Sequence, residues 1–388
     1  PESGMRAQLT PQANEIDGVT KATLPEGLRW DIVTLVAVVA AWLVWAGFAA
    51  ITQGTWLDET NYIVRAWWYV SGLEAPYGET DAVRYVPLHF LALGFWQSLF
   101  GHDVITSRLW SVVLTGFNIC LLIALIRRLG GMWWAAAFAV LIFVFSEEST
   151  FYFSSAAPYA LVVFLQLSAL NVVIDIERGR IWPRSIMLGV LLTALYLTRV
   201  EMAPFMALIL VTILVRVGKP ALPAIAAIGA IFLSTYGVLA YLWGRKFIFA
   251  SMYLPAMSEM LIRVGALPDS FPNAIRFSQT TYYDQPGSWH ALIQSAFRLE
   301  IVRDWVAWHH LPQVVAALFA VVTLMAFGLS RLKWLLFFTA AYWLGLLYYL
   351  VAGQLQCSAC VQAYLNYVNY LAAIAGGLTL QAILDRGV

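Results

Sequence analysis

The sequence predicts an all-α polytopic membrane protein of about ten transmembrane helices, with interfacial helices in its first outer loop. Three observations carry this expectation. Of 388 residues, 61% are hydrophobic and only 12% charged; mean hydropathy is +0.74; and apolar runs of membrane length recur along the chain. A soluble domain of this composition would present more apolar surface than water tolerates. The net charge of +1 and the lack of any long basic run argue against a nucleic-acid surface.

The first 30 or so residues are mixed and polar. They lack the basic region, short apolar core and small-residue cleavage site of a signal peptide, so the first apolar run is expected to stay as an anchor. Residues 1–30 thus read as a polar cytoplasmic segment and 31–388 as one transmembrane domain. The candidate spans are about 31–52, 104–126, 131–146, 158–174, 185–199, 201–216, 222–243, 311–329, 334–352 and 363–384. Residues 86–101 are also apolar. If they do not cross, Arg127/Arg128, Arg178/Arg180/Arg184, Arg216/Lys219, Arg331/Lys333 and Arg386 share one side with Lys21 and Arg29, as cytoplasmic loops prefer. That segment is therefore expected to lie in the outer interface. Both termini are expected in the cytoplasm of a bacterial cell, with large outer loops at about 53–103 and 244–310.

Directly after the first span come two adjacent acids, Asp58 and Glu59. Acids are costly beside hydrocarbon and need a reason to be there. One reading makes them a general base or a cation site facing water. The other makes Asp58 the cap of a helix that begins at Glu59, with Glu59 its first-turn acid. The same outer loop holds Arg65, Trp67, Trp68 and Tyr69, then Arg84, Pro87 and His89. The second outer loop holds Arg245, Lys246, Arg263, Arg276, Tyr282, Tyr283, Asp284, Pro286 and His290. Cations and aromatics beside acids suit a phosphate-bearing lipid. Equally, Trp and Tyr anchor interfaces, and Arg snorkels to headgroups.

Four segments then align with a known pattern: Leu57-Asp58-Glu59-Thr60-Asn61-Tyr62, Arg84-Tyr85-Val86-Pro87-Leu88-His89-Phe90, Leu99-Phe100-Gly101 and Ser107-Arg108-Leu109-Trp110-Ser111. In this order they resemble the membrane glycosyltransferases of the protein O-mannosyltransferase and lipid A aminoarabinose transferase type. These enzymes have the type C fold and use polyprenyl-phosphate sugars as donors. The resemblance extends to Leu197-Thr198-Arg199, where the family often has Leu-Thr-Lys, and beyond about residue 300 reduces to similar hydropathy.

The resemblance implies that Asp58 takes the proton from an acceptor hydroxyl while Glu59 orients acceptor or backbone. Arg84, Arg199, Arg245, Lys246 and Arg276 are the implied stabilisers of the leaving phosphate, with a divalent metal ion as another means. His89, Arg108, Glu147, Glu148, Tyr282 and Tyr283 complete the implied substrate-binding set. Two departures stand out. Only Arg84 can serve as the basic residue before the Pro-Leu helix, and the acid expected near Ser154-Ser155-Ala156-Ala157-Pro158-Tyr159 is missing. Glu147 and Glu148 are the nearest substitutes; a solvated helix end explains them equally well.

Other groups carry weaker signals. Cys357 and Cys360 suit a disulfide in an outer loop, free thiols, or less readily a metal site. His309 and His310 are adjacent, so on a helix they diverge and favour a structural role. Tyr364, Asn366, Tyr367, Asn369 and Tyr370 place polar groups in the last span, for helix packing or a headgroup groove. Arg199 and Glu201 flank a tight outer turn, where they pair with each other or Arg199 faces a donor phosphate. The expected function is transfer of a sugar from a polyprenyl-phosphate carrier to a lipid, glycan or protein acceptor on the outer side of the membrane. The alternative is a type C fold retained as a non-catalytic subunit alongside partner membrane subunits.

Overall fold

The computed structural model describes residues 26–77, 86–179, 181–252, 310–328, 333–356 and 364–385, and every regular element among them is helical. In chain order these are α1 (Glu26–Thr52), α2 (Leu57–Ser71), α3 (Leu88–Phe100), α4 (Val104–Arg128), α5 (Trp133–Val144), α6 (Glu147–Phe153), α7 (Tyr159–Glu177), α8 (Ile181–Thr198), α9 (Ala203–Val217), α10 (Leu222–Met252), α11 (Leu311–Phe327), α12 (Lys333–Gln356) and α13 (Asn369–Leu384).

Among the described residues, six segments are long and apolar enough to cross a membrane: Ile32–Thr52, Val104–Arg128, Tyr159–Glu177, Ile181–Thr198, Val200–Val217 and Lys219–Gly244. Their surfaces fit hydrocarbon. On α1 a single row, Trp42, Ala46 and Ala50, is fully buried at helical spacing, while Val44, Trp45, Phe48 and Ile51 point outward and stay exposed. α7 lies at the other extreme and is enclosed on all sides as the centre of the bundle.

Shorter helices depart from the expected spans. The apolar run at 86–101 folds as α3, whose 13 residues reach about 20 Å, short of a hydrocarbon core of roughly 30 Å. The span expected over 131–146 stops after 12 residues as α5. Ser146 then caps a new helix, its Oγ accepting from the Ser149 N–H at 3.1 Å, so Glu147 and Glu148 open α6 instead of ending the span. The last expected span is broken by a turn at 366–368 before α13 begins.

Direct contacts sort the helix ends into two groups. At one end, Arg128 of α4 pairs with Asp175 of α7, which also binds Arg184 of α8 at 3.1 Å, and Arg216 of α9 pairs with Glu177 at 2.7 Å. At the opposite end, the start of α4 and the chain before α7 both meet Glu59 of α2, and the end of α8 meets Tyr62 of α2. The arginines and the Asp58/Glu59 pair thus occupy opposite ends of the same helices.

Close packing depends on small residues. In α13, a Cβ on Gly377 would lie 2.7 Å from the Ala135 carbonyl oxygen and 3.1 Å from Ala139 Cβ, the small-residue contact that lets membrane helices approach. α2 and α3 cross as tightly: a Cβ on Gly94 would meet the Ala66 carbonyl oxygen at 2.3 Å and Val70 Cγ1 at 2.7 Å. Gln97 fastens this crossing, its Nε2 donating to the Ile63 carbonyl at 3.1 Å and to Ser107 Oγ at 2.9 Å. Gly94→Ala is therefore expected to destabilise the protein by about 1–3 kcal/mol, because backbone must move. Gly237→Ala, with nothing within 4 Å, is expected to be neutral or stabilising by up to about 1 kcal/mol. Unfolding of both purified variants checks the pair; equal effects would contradict this packing.

Candidate functional site

The first turn of α2 separates the two acids. The helix begins at Leu57 with Trp56 at its N-cap and no side-chain capping bond, so Asp58 lies inside the first turn and does not cap it. Neighbouring helical residues point about 100° apart. Glu59, Tyr62, Ile63 and Ala66 form the buried face at spacings of three and four, whereas Asp58 is exposed.

Glu59 is wholly enclosed and gripped by Arg108 of α4. Arg108 Nε donates to Glu59 Oε1 at 2.8 Å and its Nη2 to Oε2 at 2.7 Å. The remaining guanidinium hydrogens go to the carbonyls of Ala50, Gln53 and Gly54 at 3.0, 2.8 and 3.0 Å. All five donors of an arginine are thereby used. Glu59 Oε1 also accepts from the Ala156 N–H at 2.9 Å. Glu59 thus orients backbone, one of the two roles the resemblance implied for it. Arg108, implied as substrate-binding, has its guanidinium fully engaged by protein groups.

His89 of α3 holds the other side of the same residue: its Nε2 lies 3.4 Å from the Ala156 carbonyl oxygen. Burial, reinforced by the nearby charge of Arg199, pulls the His89 pKa down to about 3. A neutral ring donating from Nε2 leaves Nδ1 as a buried acceptor with no partner among the described residues. Its ring meets Tyr62 edge-on, with centroids 5.3 Å apart.

Asp58 faces a different neighbourhood. Burial raises the Tyr152 phenol above its usual range, and the charges of Glu148 and Asp58 add to the effect, so both acids lie within electrostatic reach of it. Tyr152 contacts Tyr159 edge-on at 4.7 Å, and Tyr159 stacks on Tyr367 at 5.1 Å. Tyr367 in turn faces Arg199. A continuous aromatic path therefore leads from the exposed acid to a buried cation.

Arg199 sits in an extended residue between α8 and a 3-10 turn at Val200–Met202. Its Nη2 donates to Tyr62 Oη at 2.6 Å, while Glu201 lies 3.8 Å from Nη1. The Arg199–Glu201 pairing expected from sequence is thus the longer contact. Tyr364 and Tyr367 complete the surroundings. Nearby, Asn369 Nδ2 donates to His310 Nδ1 at 3.2 Å, a packing role for His310 that joins α11 to α13.

The structure brings together Asp58, Glu59, His89, Arg108, Glu148 and Arg199 at one end of the bundle. Arg84, Arg276, Tyr282, Tyr283, His309, Cys357 and Cys360 lie outside the described residues, as do the side chains of Glu147, Arg245 and Lys246. Among the described residues, no group of three or more His, Cys, Asp or Glu is placed to hold a metal ion. Sequence reasoning missed Tyr62, Tyr152, Tyr159 and the Ala156 backbone. The i, i+3, i+4, i+7 spacing from Glu59 was the available signal for Tyr62. No family model, no curated protein and no solved structure matches the chain.

Two outcomes follow. Arg108→Gln is expected to cost about 3–5 kcal/mol, as when one partner of a buried ion pair is removed, and Glu59→Gln/Arg108→Met to cost less than the sum of the single changes; additive unfolding energies would contradict the pairing. For His89, the unfolded chain takes up a proton near pH 6.5 and the folded one only near 3. Stability is therefore expected to fall on acidification between those values, by about 1 kcal/mol per pH unit. Unfolding of wild type against His89→Gln between pH 6.5 and 5 checks this, since the variant removes that slope.

Proposed function

We propose that the chain is a polytopic membrane transferase of the type C fold. It moves a sugar from a polyprenyl-phosphate carrier to an acceptor hydroxyl on the outer side of a bacterial cytoplasmic membrane. The observation carrying this reading is the division of labour between adjacent acids: Glu59 is locked into a buried ion pair, leaving Asp58 exposed at the head of the aromatic path to Arg199. The gathering of Arg127, Arg128, Arg178, Arg184 and Arg216 at the opposite end supports a cytoplasmic placement of that end, since basic loops stay inside.

In this reading the Asp58 carboxylate takes the proton of the acceptor hydroxyl as that oxygen attacks the anomeric carbon. The bond from that carbon to the phosphate oxygen breaks, and the polyprenyl phosphate leaves with the electron pair. Such a leaving group needs charge stabilisation more than a proton, and Arg199, with the Tyr62 and Tyr367 hydroxyls beside it, is the described cation suited to supply it. His89 and Glu59 hold Ala156 from its two sides and thereby fix the turn that brings Tyr159 towards Tyr152.

A second reading, a non-catalytic subunit of a membrane complex, is favoured by the turn at Ser154–Ala157. It carries buried Ser and Ala where the resembled family has an acid. Asp58→Asn separates the two. Transfer of sugar from a polyprenyl-phosphate donor by purified protein is expected to fall by a factor of about 100 to 10,000, the range for losing a general base, with the fold intact. Undiminished transfer by the variant would defeat the catalytic assignment; the subunit reading instead expects no transfer by wild type and stable co-purification of Asp58→Asn with partner proteins.

A further inference from the structure

The arginine end of the bundle holds more positive charge than its own acids neutralise. Among the described residues three arginines share two acids there, Arg128 and Arg184 on Asp175 and Arg216 on Glu177, and Asp385 reaches the same end through Gln381, which accepts from the Met132 N–H, so five arginines face three acids. Arg127 and Arg178 are both exposed and are held by carbonyls instead. Arg127 donates to the Gly131 carbonyl at 2.8 Å and lies over the Trp133 ring at 4.8 Å. Arg178 donates to the Arg128 carbonyl at 2.8 Å.

These contacts gather the cations around the last turn of α4 and the helix ends packed on it. Arg127 precedes Arg128 in the chain, Arg178 bonds to the Arg128 backbone, and Arg184 shares Asp175 with the Arg128 side chain. Each guanidinium is braced by a carbonyl, ring or carboxylate, so little side-chain freedom remains to be lost on binding an anion. Trp182, 60% exposed, stands between Arg178 and Arg184 in the chain, a residue type that settles at the headgroup level of a bilayer.

We propose that Arg127, Arg178 and Arg184 form a binding site for the phosphate headgroup of an anionic phospholipid in the leaflet at this end. Charge complementarity selects the ligand class, because a zwitterionic headgroup leaves the excess cations uncompensated. The planar guanidinium forks suit phosphate oxygens, and the apolar helix surfaces below them suit acyl chains. The site lies at the opposite end of the helices from Asp58 and is independent of whether the chain transfers sugar.

The test uses the full chain in phosphatidylcholine nanodiscs, with and without phosphatidylglycerol, reading the unfolding temperature and the lipid retained in native mass spectrometry. Wild type is expected to gain stability and retain phosphatidylglycerol, and inorganic phosphate at matched concentration to give no such gain. Arg127→Gln/Arg178→Gln is expected to weaken the apparent lipid affinity about 30-fold, the effect of losing two surface cations at about 1 kcal/mol each. Lys219→Gln/Lys333→Gln, which removes two exposed cations outside the patch, is expected to weaken the response clearly less than the Gln pair at 127 and 178. Arg127→Lys/Arg178→Lys keeps both charges and is expected to keep most of it. The site is overturned if wild type shows no preference, if free phosphate reproduces the gain, if the two Gln pairs lose it equally, or if the Lys pair at 127 and 178 loses it as fully as the Gln pair there.

Discussion

The architecture at the Asp58 end depends on the buried Glu59–Arg108 pair. Through it, the last turn of α1, the chain that follows, the start of α2, the start of α4 and the turn before α7 are all tied together. Such a pair is not a large source of net stability, because two charges must be desolvated to make it. Its effect is geometric. Every alternative arrangement of these segments would strand either a carboxylate or a guanidinium away from water, so one arrangement is selected. The exposure of Asp58 follows from its register, since it lies off the face formed by Glu59, Tyr62, Ile63 and Ala66.

The remaining polar groups extend that frame to the aromatic path. Ala156 receives a bond on each side of its backbone, from Glu59 and from His89, and the turn it belongs to delivers Tyr159 onto Tyr367. His89 does this as a neutral ring, because burial disfavours its charged form and the neighbouring Arg199 already supplies positive charge. One cation, several phenols and a neutral imidazole are thus a mutually consistent set, whereas two cations in that volume would not be. Tyr62 joins the two halves, bonded to Arg199 through its hydroxyl and packed edge-on against His89 through its ring.

Much of this was legible in the sequence, and the rest was hidden for identifiable reasons. Hydropathy located the long helices because crossing lipid fixes their length, and charge clustering located the arginine end. It could not locate the breaks at 145–146 and 366–368, where Ser146 and Asn366 start or interrupt helices inside runs that remain apolar on average. The acid pair marked the site, but not which acid was buried; helical spacing from Glu59 through Tyr62, Ile63 and Ala66 held that information. The use of Arg108 was not legible, because its partners are backbone carbonyls at 50, 53 and 54 and a carboxylate 49 residues away. Tyr152 and Tyr159 read as ordinary aromatics of apolar stretches until tertiary contact aligned them.

The missing acid near Pro158 weighs less against catalysis once the proton inventory is followed. In the proposed transfer the polyprenyl phosphate leaves as an anion that needs no proton, so that reaction requires one base and one source of positive charge, and a second acid is dispensable on that count. Glu59 is engaged by Arg108 and His89 is held neutral, which leaves neither suited to exchange protons with an acceptor. Asp58 is exposed and within electrostatic reach of the Tyr152 phenol, from which ring contacts lead to the buried Arg199. The two adjacent acids are therefore divided between one carboxylate that fixes the fold and one that stays exposed.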